Sequence, residues 1–387
     1  MERIKVGFVG TGDVMLKYYL PTVMRASDTM EVVAICDALA DRAEKVAGAF
    51  GASESYGDYH QMVERTSADL IVNLTPAQLH YPISLAALKA GKHVYVEKPM
   101  ARTLDEANTL ISTARSRGVQ LMAAPTLMLD PTNQTIRRLI KEEIVGKVAF
   151  AVANAFQGGP LGPSYMANYE SALARAGINV LNRLEDKTDP SWFYQKGGGP
   201  LYDVGVYRIT LLTGLLGPVQ RVTALSGIRT PERTVSHGLG GGRTFKTDED
   251  DNTLVLLDFG DATFAYVSAS WHGTASEAPP LEVVCQHGTI SLPRSTRGEE
   301  RAVRVHREGK WEEIPVEGTP WVIPNGLPYF AQCLLDGTPS VVTVEQARHV
   351  VEVMEKALTA ARTGEAQDLV STFDSPLDTP VATPVRS

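Results

Sequence analysis

The chain is poor in cysteine, with only Cys36, Cys285 and Cys333 among 387 residues. They are far apart and odd in number, and no Cys-x-x-Cys or Cys/His spacing occurs. A disulfide framework and a structural zinc site are therefore both excluded from the reading, which expects free thiols in a reducing compartment. No apolar run approaches the roughly 20 residues that a membrane span requires. Positive charge is also scarce: the net charge is −8, which speaks against a nucleic-acid or anionic-membrane partner. Aromatic residues make up only 7%. The opening "MERIKVGFVG" reads directly into a strand, without signal-peptide features, so the expectation is a soluble cytoplasmic protein.

What remains is ordinary globular material, 43% hydrophobic and 21% charged, long enough for two domains. Residues 1–125 alternate short β-branched runs with amphipathic segments. Strands are expected at 4–10, 31–36, 68–74, 93–97 and 119–124, with helices at 13–26, 38–50, 79–90 and 103–117. Apolar strands that alternate with helices indicate a doubly wound parallel sheet, a Rossmann-like α/β fold. Residues 126–362 change character. A helix near 131–142 and a long strand at 146–156 precede an irregular stretch, 160–196, and a helix at about 200–216. Strands then crowd together between 219 and 316, with "DFGDATFAYV" marking a hairpin turn, and helices follow near 325–336 and 343–362. This half reads as an α+β domain with a large, mostly antiparallel open sheet. Residues 363–387 read as a tail that is poorly ordered or draped over the surface.

The chemistry is carried by a few stretches. "VGFVGTGDVM" puts Gly10, Thr11, Gly12, Asp13 and Val14 between the first strand and a helix. Glycines there let the backbone approach a pyrophosphate, and the helix N-terminus offers N–H donors. Met15 replaces the third small residue of the fingerprint. Asp37 ends the second strand, where a carboxylate holds the ribose hydroxyls of NAD and repels a 2′-phosphate. Helix capping is its alternative role. Residues 38–40 offer no cation, and Arg42 is the one argument for NADP.

Lys98 follows the strand "HVYVE" and so emerges at the carboxyl edge of the parallel sheet, where ligands bind. Pro99 holds it extended, and burial beside a cofactor cation would lower its pKa. "GGGPLYDVGVY" opens a helix with Gly197–Gly199 and places Asp203 and Tyr207 four residues apart, on one face. Local capping by Asp203 and core packing by Tyr207 are the bland alternatives. Trp192 and Tyr194, with Phe193 between them, could wall a sugar ring or simply pack the core. The acidic "DEDDN" (248–252) lacks calcium-loop spacing and reads as a solvated approach to a hairpin, and "GLGGGRT" (238–244) lacks the Lys-Ser/Thr of a phosphate-binding P-loop.

On "VYVEKPMARTLDEA", together with "VNLTPAQLHYPISLAALKAGKH" and "GGGPLYDVGVY", the chain resembles the Gfo/Idh/MocA family of NAD(P)-dependent oxidoreductases over about residues 3–360. The resemblance implies a Rossmann domain and an open-sheet domain, sugar, cyclitol or polyol substrates, and dimers or tetramers built on that sheet. It implies NAD binding at the glycine loop and Asp37, with Thr75, Pro76, His80 and Glu97 at the same site; for His80 a structural contact is the alternative. It also implies Lys98 as the residue touching substrate and nicotinamide, with Asp203 as the acid of the second motif. Many members carry His where this chain has Tyr207, and the glucose–fructose oxidoreductase type is similar in carrying Tyr. No arginine follows the sixth strand, where "APTLMLDP" stands. The Lys98–Pro99 bond is expected to be cis. Some relatives use NAD transiently as glycosidases or lyases, and others are non-catalytic regulators. The presence of Lys98, Asp203 and Tyr207 together argues against the regulator.

Overall fold

The protein is described by a computed structural model covering residues 3–12, 14–161, 190–235, 241–273, 275–293 and 302–374. Strands β1 (Ile4–Val9), β2 (Met30–Cys36), β3 (Glu54–Tyr56), β4 (Leu70–Asn73), β5 (His93–Val96) and β6 (Leu121–Ala123) form one parallel sheet in the order β3-β2-β1-β4-β5-β6. Helices α1 (Leu20–Arg25), α2 (Ala40–Phe50), α3 (Tyr59–Arg65), α4 (His80–Lys89) and α5 (Leu104–Arg117) connect them. The order reverses between β1 and β4, so a crevice opens beyond the carboxyl ends of the strands at that point.

The sequence reading omits β3 and α3. β3 is three residues long and half exposed, so it carries no two-residue period. α3 spans only seven residues, although the Asp58 carboxylate caps it by accepting the His60 N–H, a signal legible in "GDYH". The expected single helix at 13–26 is also corrected. It begins as a widened π-helical segment, Met15–Tyr19, before α1. Pro21 explains this: it has no N–H to give, and its ring crowds the carbonyl four residues back.

The second sheet has nine strands: β7 (Val148–Phe156), β8 (Arg221–Gly227), β11 (Asn252–Asp258), β12 (Phe264–Ser270), β13 (Leu281–Cys285), β14 (Gly288–Leu292), β15 (Ala302–Arg307), β16 (Lys310–Pro315) and β17 (Gln367–Asp368). A separate short hairpin pairs β9 (Glu232–Thr234) with β10 (Thr244–Lys246). Every neighbouring pair in the large sheet is antiparallel except β7 with β12. The β11–β12 turn holds Gly260, Asp261 and Ala262 at positive φ. One face buries Ala151, Val222, Val255 and Val267 against α6 (Pro131–Lys141), α7 (Val206–Leu216) and α9 (Val344–Thr363). The other face leaves Phe150, Leu225, Leu254, Leu256 and Phe264 exposed.

α8 (Gly326–Asp336) belongs by sequence to the second half but packs on the first sheet, where Leu327 and Phe330 share a buried cluster with Phe8 and Tyr95. The described part of the tail is pinned rather than loose: β17 pairs with β8, and the Glu352 carboxylate accepts the N–H groups of Val370 and Ser371.

Candidate active site

A cavity of about 690 Å³ lies at the switch-point crevice. One end is built by the loop after β1. Gly10 has φ +93°, and a Cβ there would stand 3.0 Å from the backbone of Leu74 and Thr75, so any side chain would be strained and would crowd that loop. A Cβ at Gly12 would meet nothing within 4 Å, which leaves an open cradle beside the start of the helix. Val14 lines the cavity, while Asp13 lies outside the described residues. Thr11 faces inward instead. Its N–H and Oγ1 donate to Asp37 Oδ2 at 2.8 and 2.7 Å. Asp37 Oδ1 accepts the Leu39 N–H at 3.0 Å. Asp37 thus lines the cavity and staples the loop at once, while the helix that follows, α2, has Leu39 rather than Asp37 as its N-cap residue.

Arg42, named from sequence only as an argument for NADP, completes this end together with Gly57, Asp58, Tyr59 and His60, which the sequence reading does not name. Most come from the β3–α3 region, which the sequence reading does not resolve. Arg42 is buried, yet its Nε has no hydrogen-bond partner among the described residues. A buried N–H donor left without a partner is costly, and an anion beside the guanidinium in the cavity would offset that cost.

The other end is built by the loops after β4 and β5 and by the glycine-rich segment. Thr75, Pro76, His80, Glu97 and Lys98 line it, as expected. His80 contributes as a structural tie: Nδ1 lies 2.6 Å from Pro99 O, and Nε2 lies 2.8 Å from Thr75 O. It therefore clamps the two loops together. Burial lowers its pKa, and the carbonyl contacts and Glu97 oppose that shift. Glu97 is buried; Oε1 accepts from Tyr19 OH at 2.6 Å, and Oε2 accepts the Lys98 N–H at 3.0 Å. The Lys98–Pro99 bond is cis.

Lys98 Nζ donates to Asp203 Oδ1 and to the Asp203 carbonyl, both at 2.8 Å. The Tyr207 ring centroid lies 5.2 Å from Nζ. Burial alone would lower the Lys98 pKa, as expected from sequence. Asp203, Tyr207 and Glu97 outweigh burial, and the pKa is raised. Lys98 is a held ammonium. Burial pushes the Tyr207 phenol up, with Lys98 opposing, so Tyr207 keeps its proton at neutral pH.

The helix bearing Asp203 does not start as an α-helix. Leu201–Gly205 is π-helical and runs into α7. Asp203 and Tyr207 nonetheless converge on Lys98. Asp203 lines the cavity, but Tyr207 sits behind Lys98 and is not part of the lining.

Trp192 and Phe193 stack at 3.8 Å between centroids, and both face the cavity, joined by Tyr202. The expectation that Tyr194 walls the cavity fails. In the tight 3₁₀ turn Pro190–Tyr194 its ring points the other way, against Trp271 at 4.4 Å and under Arg233. Tyr202 escaped the sequence reading because a position next to Asp203 on a regular α-helix would face elsewhere.

The arrangement joins a phosphate-type cradle to an ammonium–carboxylate pair with a phenol behind it. Comparison with known proteins accords with that. Residues 4–124 match the model described as an oxidoreductase family with an NAD-binding Rossmann fold, and residues 133–291 match the GFO/IDH/MocA C-terminal domain. The chain is 25% identical to levoglucosan dehydrogenase of Pseudarthrobacter phenanthrenivorans, over 70% of this chain and 68% of that one. It is 24% identical to a scyllo-inositol 2-dehydrogenase (NADP(+)) of Bacillus subtilis, over 94% and 95% of the two chains. Several other curated relatives are spanned over only about half their length. Among solved structures, levoglucosan dehydrogenase in complex with NADH superposes with a TM-score of 0.75 at 20% identity, covering 96% of this chain and 100% of that one. Matched by both of its domain models across most of its length, the chain belongs to the Gfo/Idh/MocA family of NAD-binding oxidoreductases.

Proposed function

We propose that the protein is an NAD(P)-dependent dehydrogenase or reductase acting on a hydroxyl-bearing carbon of a sugar, cyclitol or related polyol. The observation that carries this reading is the Lys98–Asp203 pair at the carboxyl edge of the parallel sheet, with the protonated Tyr207 phenol behind it. Gly10, Gly12, Val14, Asp37, Thr75 and Pro76 would hold the dinucleotide, which supplies the hydride acceptor or donor when bound. The chain's own residues do the rest. The Lys98 ammonium stabilises charge developing on the substrate oxygen. Asp203 keeps that ammonium charged and oriented. In the reducing direction Lys98 gives a proton to the substrate oxygen and the Tyr207 phenol, protonated at neutral pH, resupplies it; in the oxidising direction the alcohol proton leaves by way of Lys98 to the Asp203 carboxylate or to water. Trp192, Phe193 and Tyr202 offer aromatic faces to a ring. Similarity to levoglucosan and inositol dehydrogenases supports the substrate class.

A screen of sugars and polyols with NAD+ and NADP+, read by reduced-cofactor absorbance, tests the reading; no conversion of any of them would overturn it. On the substrate found, Tyr207→Phe should lower kcat by about 10²-fold and remove one limb of the pH–rate profile. An unchanged kcat and profile would make Tyr207 a packing residue and leave the proton to Lys98 or water.

Cofactor choice is less one-sided than the sequence suggested. Asp37 opposes a 2′-phosphate, but the buried Arg42 guanidinium lines the same end of the cavity. A charge-assisted bond is worth about 1.5–3 kcal/mol, comparable to the repulsion of about 1–3 kcal/mol from one like charge. NADH and NADPH should therefore bind within about tenfold of each other, and Arg42→Ala should weaken NADPH by a further factor of about 10–100 with little effect on NADH. Equal losses for both cofactors in a fluorescence titration would show that Arg42 does not read the 2′ position.

The same reading places the protein in the cytoplasm, consistent with cysteines that are all buried and unpaired. It also makes the open sheet face a self-association surface. Leu225 is 75%, Leu256 55% and Phe264 50% exposed, an apolar row running across adjacent strands. Sedimentation should show a dimer or tetramer that Leu256→Arg dissociates; a wild-type monomer would dismiss the idea.

A further inference from the structure

The acidic stretch 248–251 reads from sequence as a solvated approach to a hairpin, but in the fold it lies along the segment that precedes Asp203. The Asp248 N–H donates to Tyr194 O at 3.1 Å. Glu249 Oε2 accepts the Gly197 N–H at 2.6 Å. Gly197 has φ +91°, and on its other side a Cβ would stand 2.4 Å from Arg102 Cζ and 2.7 Å from both terminal nitrogens. The guanidinium therefore lies directly on the Gly197 backbone. Gly199, at φ +89°, would place a Cβ 3.1 Å from Glu249 Cγ. Its carbonyl accepts the Asp203 N–H at 3.1 Å, the bond that opens the helix carrying Asp203.

The acidic stretch is itself anchored. Asp251 is fully buried and accepts from Arg229 N, Thr230 N and Arg233 Nη2 at 2.7, 3.0 and 2.7 Å, with His272 Nε2 at 3.1 Å. Burial would raise the Asp251 pKa, but these donors outweigh it and hold the carboxyl below its usual range.

We propose that Glu249, with Arg102 opposite, is a positioning residue: it seats the glycine run 197–199 and thereby sets the turn that aims Asp203 at Lys98. Neither residue touches the Lys98–Asp203 pair directly. Their action runs through the backbone from Gly197 to Gly199 and the Gly199–Asp203 bond. The bond to Gly197 is charge-assisted, and its strength depends on an ionised carboxylate. Burial raises the Glu249 pKa and prevails over the backbone hydrogen bonds from Gly197 and Asp250 and the Arg102 charge, which oppose it, while the Asp250 charge adds to it. The Tyr202 phenol also feels Arg102 and Glu249, with Glu355 and Arg362 beyond it. On acidification Glu249 takes up a proton, and the Gly197 tie weakens at a higher pH than an ordinary glutamate would allow.

The role rests on the reading of Lys98 and Asp203 as the reacting pair, so the test has one readout independent of turnover. Glu249→Ala should speed amide hydrogen exchange over residues 195–204 in the free protein. It should also lower kcat by about 10–100-fold, the cost of a small misplacement at a reacting centre. NADH affinity should change by less than about threefold, because the cradle at Gly10–Gly12 is remote from the change. Glu249→Gln retains an acceptor for the Gly197 N–H. It lacks the charge, as protonated Glu249 does, so exchange protection and kcat at neutral pH should fall between those of Glu249→Ala and the wild type, and the acid-side fall in rate that Glu249 protonation causes in the wild type should be absent. Wild-type exchange and wild-type kcat in Glu249→Ala would overturn the proposal. So would equal loss of turnover and NADH affinity in both variants, which would signal general damage. If the wild type turns over no sugar, the exchange comparison alone still decides whether Glu249 seats the glycine run.

Discussion

Replacing Lys98 with alanine should lower kcat by about 10²–10⁴, the range typical of removing a group that handles a proton in the transition state. Three features set the expectation. Nζ sits at the carboxyl edge of the sheet, 2.8 Å from Asp203 Oδ1, and lines the cavity. Its raised pKa keeps it cationic across the working range, so it presents charge where a substrate alkoxide would develop. The phosphate cradle lies at the opposite end, so NADH affinity should move by less than about tenfold, and the loss should fall on kcat rather than on cofactor binding. Lys98→Arg should remain at least about tenfold impaired, because a planar fork cannot reproduce two point contacts made by one ammonium. Single-turnover rates and NADH titration of both variants check the split. Full activity of Lys98→Ala on the true substrate would mean that the site lies elsewhere.

Much of this was legible in the sequence because it depends on local rules. β-branched runs alternating with helices give the parallel sheet. A glycine loop after β1 and a carboxylate after β2 mark the end of the cavity proposed for the dinucleotide. A Lys-Pro at the end of β5 puts a charged side chain at the carboxyl edge. What was not legible depends on distant packing. Tyr194 and Trp192 are indistinguishable as aromatic neighbours, and only the 3₁₀ turn sends one to the cavity and the other to Trp271. The Lys98 pKa moves opposite to burial because Asp203, 105 residues away, sits against it. Likewise Glu249 reads as surface until Gly197 is found on it. Arg42 was visible but undirected, since its meaning comes from the cavity wall formed by α3, a helix too short to stand out by periodicity.

Asp203→Asn should have effects that separate charge from shape. The amide keeps an acceptor oxygen of the same size for Nζ, so geometry is nearly preserved. What disappears is the counter-charge that holds the Lys98 pKa up. Burial is the largest single influence on Lys98 and acts downward; with the Asp203 charge gone only Glu97 and the Tyr207 phenol, which keeps its proton, oppose it, so in the variant burial should prevail and bring the pKa below the unperturbed value of about 10.4. The sign of the pH dependence then inverts. In the wild type the raised pKa means that the pair's stabilisation is fully present below about pH 10.4 and is lost only as pH rises through the folded value. In Asp203→Asn the depressed pKa imposes a cost at low pH, which is relieved as pH rises through the folded value toward about 10.4. Removing one partner of a buried pair costs about 3–5 kcal/mol. The side chains here retain 15% and 18% exposure and the amide still accepts a hydrogen bond, so the lower end, about 3 kcal/mol at neutral pH, is expected. Thermal unfolding from pH 6 to pH 10 should therefore show the variant gaining stability with rising pH relative to the wild type. Turnover should move the other way. With Lys98 losing its proton within the accessible range, kcat should be about 10²-fold lower at neutral pH and should fall further on the alkaline side, where the wild type stays flat. Parallel stability curves and a superimposable pH–rate profile would show that Asp203 is not the counter-charge of Lys98, and the reacting pair would have to be redrawn.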